Sequence, residues 1–120
     1  MHNKPLGPSQ RCLKVGEEIR RMLVSILQNY FFEDPSITGR SITITEVQMS
    51  PDLKHAKVFF LPLGGSSQQE ILKVLQHESK KIRHILSKKV LLRAVPALSF
   101  RIDETFDAVD ALNRSLNKVL

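Results

Sequence analysis

Tryptophan is absent from this chain of 120 residues, and there is one tyrosine, Tyr30, and one cysteine, Cys12. A single cysteine excludes an internal disulfide and points to a reducing compartment, here the cytoplasm. No run approaches the roughly 20 apolar residues that a membrane-spanning helix needs. The first eight residues, Met1 to Pro8, contain neither the apolar stretch of a secretory signal nor the Arg- and Ser-rich pattern of an organellar presequence. Residues 1–8 read as a short loose arm, and 9–120 as one domain. Aromatics are few, so an exposed aromatic sheet that reads RNA bases is not expected. Phe60, Phe100 and Phe106 have core-like spacing, and Phe31, Phe32 and Phe59 are expected in the core or packed at helix ends.

The most telling absence is of negative charge in one stretch. Between Ser79 and Ile102 there is no Asp or Glu, but there are seven cations: Lys80, Lys81, Arg83, Lys88, Lys89, Arg93 and Arg101. The remainder has eleven of the eighteen Lys and Arg residues against all twelve acids. The whole excess behind the net charge of +6 therefore sits in this segment. Clustered positive charge is the footprint of a polyanion binder. Taken alone, it fits a solvated lysine face equally well.

What is present is an ordinary globular pattern, 42% hydrophobic and 25% charged. From Ser9 to Phe31, Cys12, Val15, Ile19, Met22, Leu23, Ile26, Leu27 and Tyr30 recur at steps of three and four, an amphipathic helix with Ser9 as N-cap. Glu33-Asp34-Pro35 stops it. Ser41 to Met49 reads as a strand whose alternation slips phase between Ile44 and Val47, the mark of a bulge. Ser50-Pro51-Asp52 turns the chain into a second strand, Lys54 to Leu61, paired antiparallel with the first. After the loop at Gly64-Gly65, Ser67 and Glu70 fit a capping box.

The helix that follows poses a problem. Its apolar stripe, Ile71, Leu72, Val74 and Leu75, resumes only at Ile82, Ile85 and Leu86. A continuous helix from Ser67 to Lys89 would be about 34 Å long, with a middle turn offering nothing to the core. The spacing therefore predicts a kink or break at Glu78, Ser79 and Lys80 that separates two helices. The alternative is one helix with an exposed middle. Pro96 precedes a third strand, Ala97 to Asp103, and a last amphipathic helix begins near Phe106. The order α-β-β-α-α-β-α leaves room for a parallel crossover between strands two and three. The fold class is α+β: a three-stranded mixed sheet with helices packed on one face.

Nothing points to catalysis or a metal. His2, His55, His77 and His84 are dispersed, and no Cys or carboxylate stands beside them at ligand spacing. Cys12 lies on an apolar stripe and reads as a buried thiol. Asp107 and Asp110 suit a helix N-terminus.

Four stretches resemble one known family, ribosome-binding factor A, a group with a type II KH-like fold. They are Arg11-Cys12-Leu13-Lys14-Val15, Glu33-Asp34-Pro35, Ser50-Pro51-Asp52-Leu53-Lys54-His55-Ala56-Lys57-Val58, and Leu92-Arg93-Ala94-Val95-Pro96-Ala97-Leu98-Ser99-Phe100-Arg101-Ile102-Asp103. The last two are close to the family's Ser-x-Asp-Leu-x-x-Ala-x-Val and Leu-Arg-x-Val-Pro-x-Leu-x-Phe-x-x-Asp. The resemblance implies a non-catalytic factor that binds the small (30S) ribosomal subunit late in assembly. It further implies a part in maturing the 5′ end of the small-subunit (16S) RNA and in growth in the cold. The family lacks the KH phosphate loop Gly-x-x-Gly, as does this chain. The family's Ala-x-Gly kink corresponds here to Glu78-Ser79-Lys80, without alanine or glycine.

On this reading the RNA surface comprises Lys80, Lys81, Arg83, His84, Lys88, Lys89, Arg93 and Arg101. Lys80, Lys81, His84 and Lys88 fall at helical spacing opposite Ile82, Ile85 and Leu86. Arginines can stack on bases or grip phosphates bidentately, so Arg83, Arg93 and Arg101 are favoured for specific contacts. The expected partners are the small subunit and its RNA, met by a monomer. No cofactor, membrane or small-molecule substrate is expected. Two other readings remain: a generic KH-like RNA binder, and a protein-interaction module whose basic face meets an acidic partner.

Overall fold

The computed structural model describes residues 9–63, 67–90 and 94–105. Helix α1 spans Gln10–Gln28 and starts where the spacing places it: the Ser9 hydroxyl accepts a hydrogen bond from the Cys12 amide at 3.2 Å. Cys12, Ile19, Leu23, Ile26 and Leu27 are buried along its inner stripe. Gly16 is buried on that stripe too, and a Cβ there would come within 2.5 Å of the Val47 carbonyl. The missing side chain lets α1 lie close on the sheet, at the cost of about 1 kcal/mol in helix propensity. The helix ends at Asn29, earlier than the apolar spacing suggests, and Phe31 pairs with Thr38 in an isolated antiparallel bridge.

The sheet has three strands, β1 (Ile42–Met49), β2 (His55–Pro62) and β3 (Ala97–Ile102), in the order β1-β2-β3. β1 and β2 are antiparallel and β2 and β3 parallel, as the connection lengths require. The register of β1 shifts between Ile44 and Glu46, so the bulge read from the phase slip is present. It restores Ile42, Ile44, Val47 and Met49 to a single buried face. Ala56, Val58 and Phe60 of β2 and Phe100 of β3 bury on that face as well. α1 lies against β1, and α2 (Gln68–Ser87) against β3. This is the KH-like α+β arrangement, with both helices on one side of the sheet.

The two family-like motifs meet in space. In the turn after β1, Asp52 Oδ1 accepts from the Ser50 hydroxyl (2.6 Å) and the Lys54 amide (3.0 Å), while the Ser50 hydroxyl oxygen accepts from the His55 amide (3.0 Å). Leu53 adopts φ 61°, a left-handed conformation rare outside glycine, held by this knot of bonds. The Lys54 carbonyl then accepts from the Ala97 amide at 2.9 Å, starting the β2–β3 ladder. Residues 50–58 and 94–103 are thus largely architectural.

Two expectations are corrected. The predicted break at Glu78, Ser79 and Lys80 is absent: α2 is one helix of 20 residues. The middle turn does face the core, through Glu78, which is 2% exposed and lies in phase with buried Ile71, Leu75, Ile82 and Leu86. A carboxylate at a core position is invisible to a hydrophobic pattern. The Ser67–Glu70 capping box does not close, since the Ser67 side chain makes no cap hydrogen bond. The arm at 1–8 and the final helix from Phe106 lie outside the described residues.

Candidate nucleic-acid interface

The periodicity that turns Ile71, Leu75, Glu78, Ile82 and Leu86 inward sends Lys73, His77, Lys80, His84 and Lys88 outward, and all five are exposed. They form one stripe at steps of four, three, four and four. At 1.5 Å per residue it is roughly 22 Å long, enough to follow several backbone phosphates. Lys88 occupies the C-cap and Lys89 the turn beyond, where cations also complement the helix dipole.

The structure sorts the sequence-predicted residues. Lys80, His84 and Lys88 stand together on this outer face. Lys81 lies beside them, but its ammonium is 2.7 Å from Glu33 Oε1. That hydrogen bond raises the Lys81 pKa and lowers that of Glu33. His77 Nε2 is 3.5 Å from the other Glu33 oxygen. Arg83 is a strut: its Nη2 donates to the Val95 carbonyl at 2.7 Å and its Nε to the Pro96 carbonyl at 3.1 Å. It ties α2 to the segment entering β3 and borders a shallow groove with Lys80, His84, Ser87, Ala94 and Val95. Arg101 is separated from the others. Strand alternation buries Phe100 and places Arg101 on the open face of the sheet, where its Nε donates to Ser99 Oγ at 3.3 Å. Arg93 lies outside the described residues.

Sequence reasoning missed Lys73 and His77 as members of the stripe. Lys73 is seven residues, two helical turns, before Lys80. A break at Glu78 would put the two on different helices, whereas the unbroken α2 puts them on one face. It also missed Phe31, expected in helix-end packing but 94% exposed, whereas Phe32 is buried.

Glu78 explains how the loop after α1 is fixed beside this face. Its Oε1 accepts from the Tyr30 hydroxyl at 2.7 Å and its Oε2 from the Glu33 amide at 3.3 Å. Burial, followed by the bond to Glu78, pushes the Tyr30 pKa up. At the end of β3, Asp103 is 7% exposed and accepts from Thr45 Oγ1 at 2.5 Å and the Thr105 amide at 2.9 Å. The Thr45 bond leads in lowering its pKa. Thr45 is the bulge residue, so the bulge delivers a donor to the β3 end. The Cys12 thiol is buried and donates to the Ser50 carbonyl at 3.6 Å. Among the described residues, no three His, Cys, Asp or Glu side chains gather where a metal could be held, and no helix is long and apolar enough to cross a membrane.

Comparison with known proteins agrees with this geometry. The family profile for ribosome-binding factor A matches residues 11–116. A ribosome-binding factor A from Ruegeria sp. (strain TM1040) is 45% identical over 117 residues, covering 98% of this chain and 88% of the relative. Among solved structures, the solution NMR structure of a putative ribosome binding factor A from Thermotoga maritima superposes with a TM-score of 0.65 at 24% identity, covering 81% of this chain and 91% of that one. A Thermus thermophilus ribosome binding factor A, a homology model fitted into a cryo-EM map of a 30S complex, superposes with a TM-score of 0.60 at 22% identity, covering 73% and 90%. At these identities the two structural likenesses speak for the fold.

Proposed function

The chain belongs to the ribosome-binding factor A family, and from that premise we propose that it is a cytoplasmic assembly factor that docks, as a monomer, on RNA of the small ribosomal subunit. The observation that carries this reading is the outer stripe of α2. Lys73, Lys80 and Lys88, with His77 and His84 between them, offer a row of donors to a phosphate backbone. Such contacts position a protein on RNA by its shape and charge. The 30S complex named for the Thermus relative supports the choice of subunit. We extend the proposal to the step at which this docking acts: late maturation, helping to process the 5′ end of the small-subunit RNA. We assign the chemistry of that step to other proteins, in keeping with membership of a family of ribosome-binding factors.

Co-sedimentation with isolated small subunits tests the docking. The protein pellets with them at low salt and dissociates steeply as salt rises, because each neutralised phosphate releases counterions. Absence from the pellet at low salt overturns the reading. A deletion strain tests the maturation step: it grows poorly in the cold and accumulates precursor small-subunit RNA. A normal RNA profile rules that step out.

A further inference from the structure

Phe31 is the most exposed large apolar side chain among the described residues, at 94%, well beyond Leu13 and Leu63. Its neighbours do not share this fate. Tyr30 is held inward by Glu78, and Phe32 is buried with its ring 4.8 Å from that of Tyr30, edge to face. At the isolated Phe31–Thr38 bridge the chain is extended, so with Tyr30 half-buried against Glu78 and Phe32 buried, residue 31 between them faces outward. Ribosomal docking by α2 makes no use of this ring.

We propose that Phe31 and Arg40 form a second RNA contact, a stacking platform for an unpaired nucleobase beside a guanidinium that takes its phosphate. The proposal rests on the RNA docking described above and adds a base-reading element to it. Phe31 and Arg40 line one hollow with Gln28, Asn29 and Pro35, and no carboxylate contributes to that lining. Arg40 is exposed and has no ion-pair partner among the described residues. The carboxylates nearby in sequence are engaged elsewhere: Asp34 accepts from the Ser36 amide and hydroxyl, and Glu33 pairs with Lys81. Gln28 and Asn29 supply amides that can both donate and accept at a base edge. Aromatic stacking with an adjacent arginine is how single-stranded RNA is held. Tyr30, Phe32 and Ile37 also line the hollow, but Phe32 and Ile37 are buried and Tyr30 is half-buried, so Phe31 is its one exposed aromatic ring. That is small for a protein interface, which gathers several apolar side chains at its centre.

The platform is also rigid. Ile37 is buried, and a Cβ at Gly39 would collide with the Leu27 carbonyl, so the segment is pressed onto the end of α1. Little ordering is then required when a base arrives. Glu33, two residues after Phe31, reaches Lys81 and His77, which sets this segment against the middle of the basic stripe. A strand following α2 can thus turn a base toward Phe31.

The chain has no tryptophan, so Phe31→Trp introduces a single reporter. Its emission is expected to be quenched on adding a short oligoadenylate. Phe31→Ala is expected to bind oligoadenylate and isolated small subunits about tenfold more weakly with an unchanged salt slope, since stacking is not ionic. Arg40→Ala should weaken binding and reduce the salt slope by about one. Because the ring is solvent-exposed, thermal unfolding should match the parent. Wild-type affinity of Phe31→Ala for both probes overturns the proposal. So does unquenched emission from Phe31→Trp that still binds. A loss confined to small subunits, without quenching by oligoadenylate, also overturns it by showing that the ring meets protein. If Phe31→Ala binds normally while reversing charge on α2 abolishes binding, only the stacking site falls. If the parent protein binds neither probe, the docking falls with it.

Discussion

The outer face of α2 and the open face of the sheet are both polar and both carry cations, yet they are built differently. On α2 a period of 3.6 brings Lys73, His77, Lys80, His84 and Lys88 into one row, with Glu70 at its far end. On the sheet a period of two places Thr43, Glu46, Gln48, Lys57, Ser99 and Arg101 toward solvent, so that acids, amides and hydroxyls separate the cations. Lys57 faces Gln48 on one side and Ser99 on the other. Arg101 belongs to the same acid-free stretch as Lys80, but the sheet lies between them. Charge that is contiguous along the chain is therefore divided between two surfaces, and only the helix gathers its cations into the predominantly positive row that attracts a polyanion.

The comparison can be broken most directly by reversing charge on the helix. Lys80→Glu with Lys88→Glu should weaken binding to small subunits roughly a hundredfold at low salt and reduce the salt slope by about two. Stability should stay within about 0.5 kcal/mol of the parent, because both side chains are exposed. Filter binding over a salt series and thermal melts read the two effects. The inner side of the same helix should behave in the opposite way. Glu78→Ala strands the Tyr30 hydroxyl and the Glu33 amide, and denaturant unfolding should show a loss of about 2 kcal/mol. Binding of the folded fraction should fall much less.

On the sheet side, Asp103→Asn should cost about 1 kcal/mol at neutral pH by weakening the Thr45 bond. The pH dependence has a definite sign. Native Asp103 titrates below its ordinary 3.8, so the unfolded chain binds more protons near that pH. Its contribution is full above about pH 4 and fades as pH falls through the lower native value. Acid unfolding of Asp103→Asn should accordingly lack that component. The smallest effect belongs to Arg101→Glu, expected to change subunit affinity less than about threefold. A loss as large as that from the helix would show that the open face of the sheet also docks.

Much of this was legible beforehand, for identifiable reasons. Burial patterns repeat with the geometry of each element, so α1, the three strands and even the bulge at Thr45 could be read from apolar spacing. The Ser50–Val58 and Val95–Asp103 stretches signalled the family because they encode a tight turn, a left-handed Leu53 and the start of a parallel ladder. Side-chain partners were not legible. The unbroken α2 depends on a carboxylate accepted into the core by Tyr30, 48 residues away in sequence. Two helices parted at Glu78 would separate Lys73 and His77 from Lys80, His84 and Lys88; the single helix joins them.

By itself, then, the sequence determined α1, the three strands and their order, the sign of the charge and the family, because periodicity and local turn chemistry act between near neighbours. Tertiary structure alone decided which cations share a surface, which are already engaged, as Lys81 and Arg83 are, and that one phenylalanine is left facing water. Those outcomes depend on contacts between residues far apart in the chain, which no local pattern records.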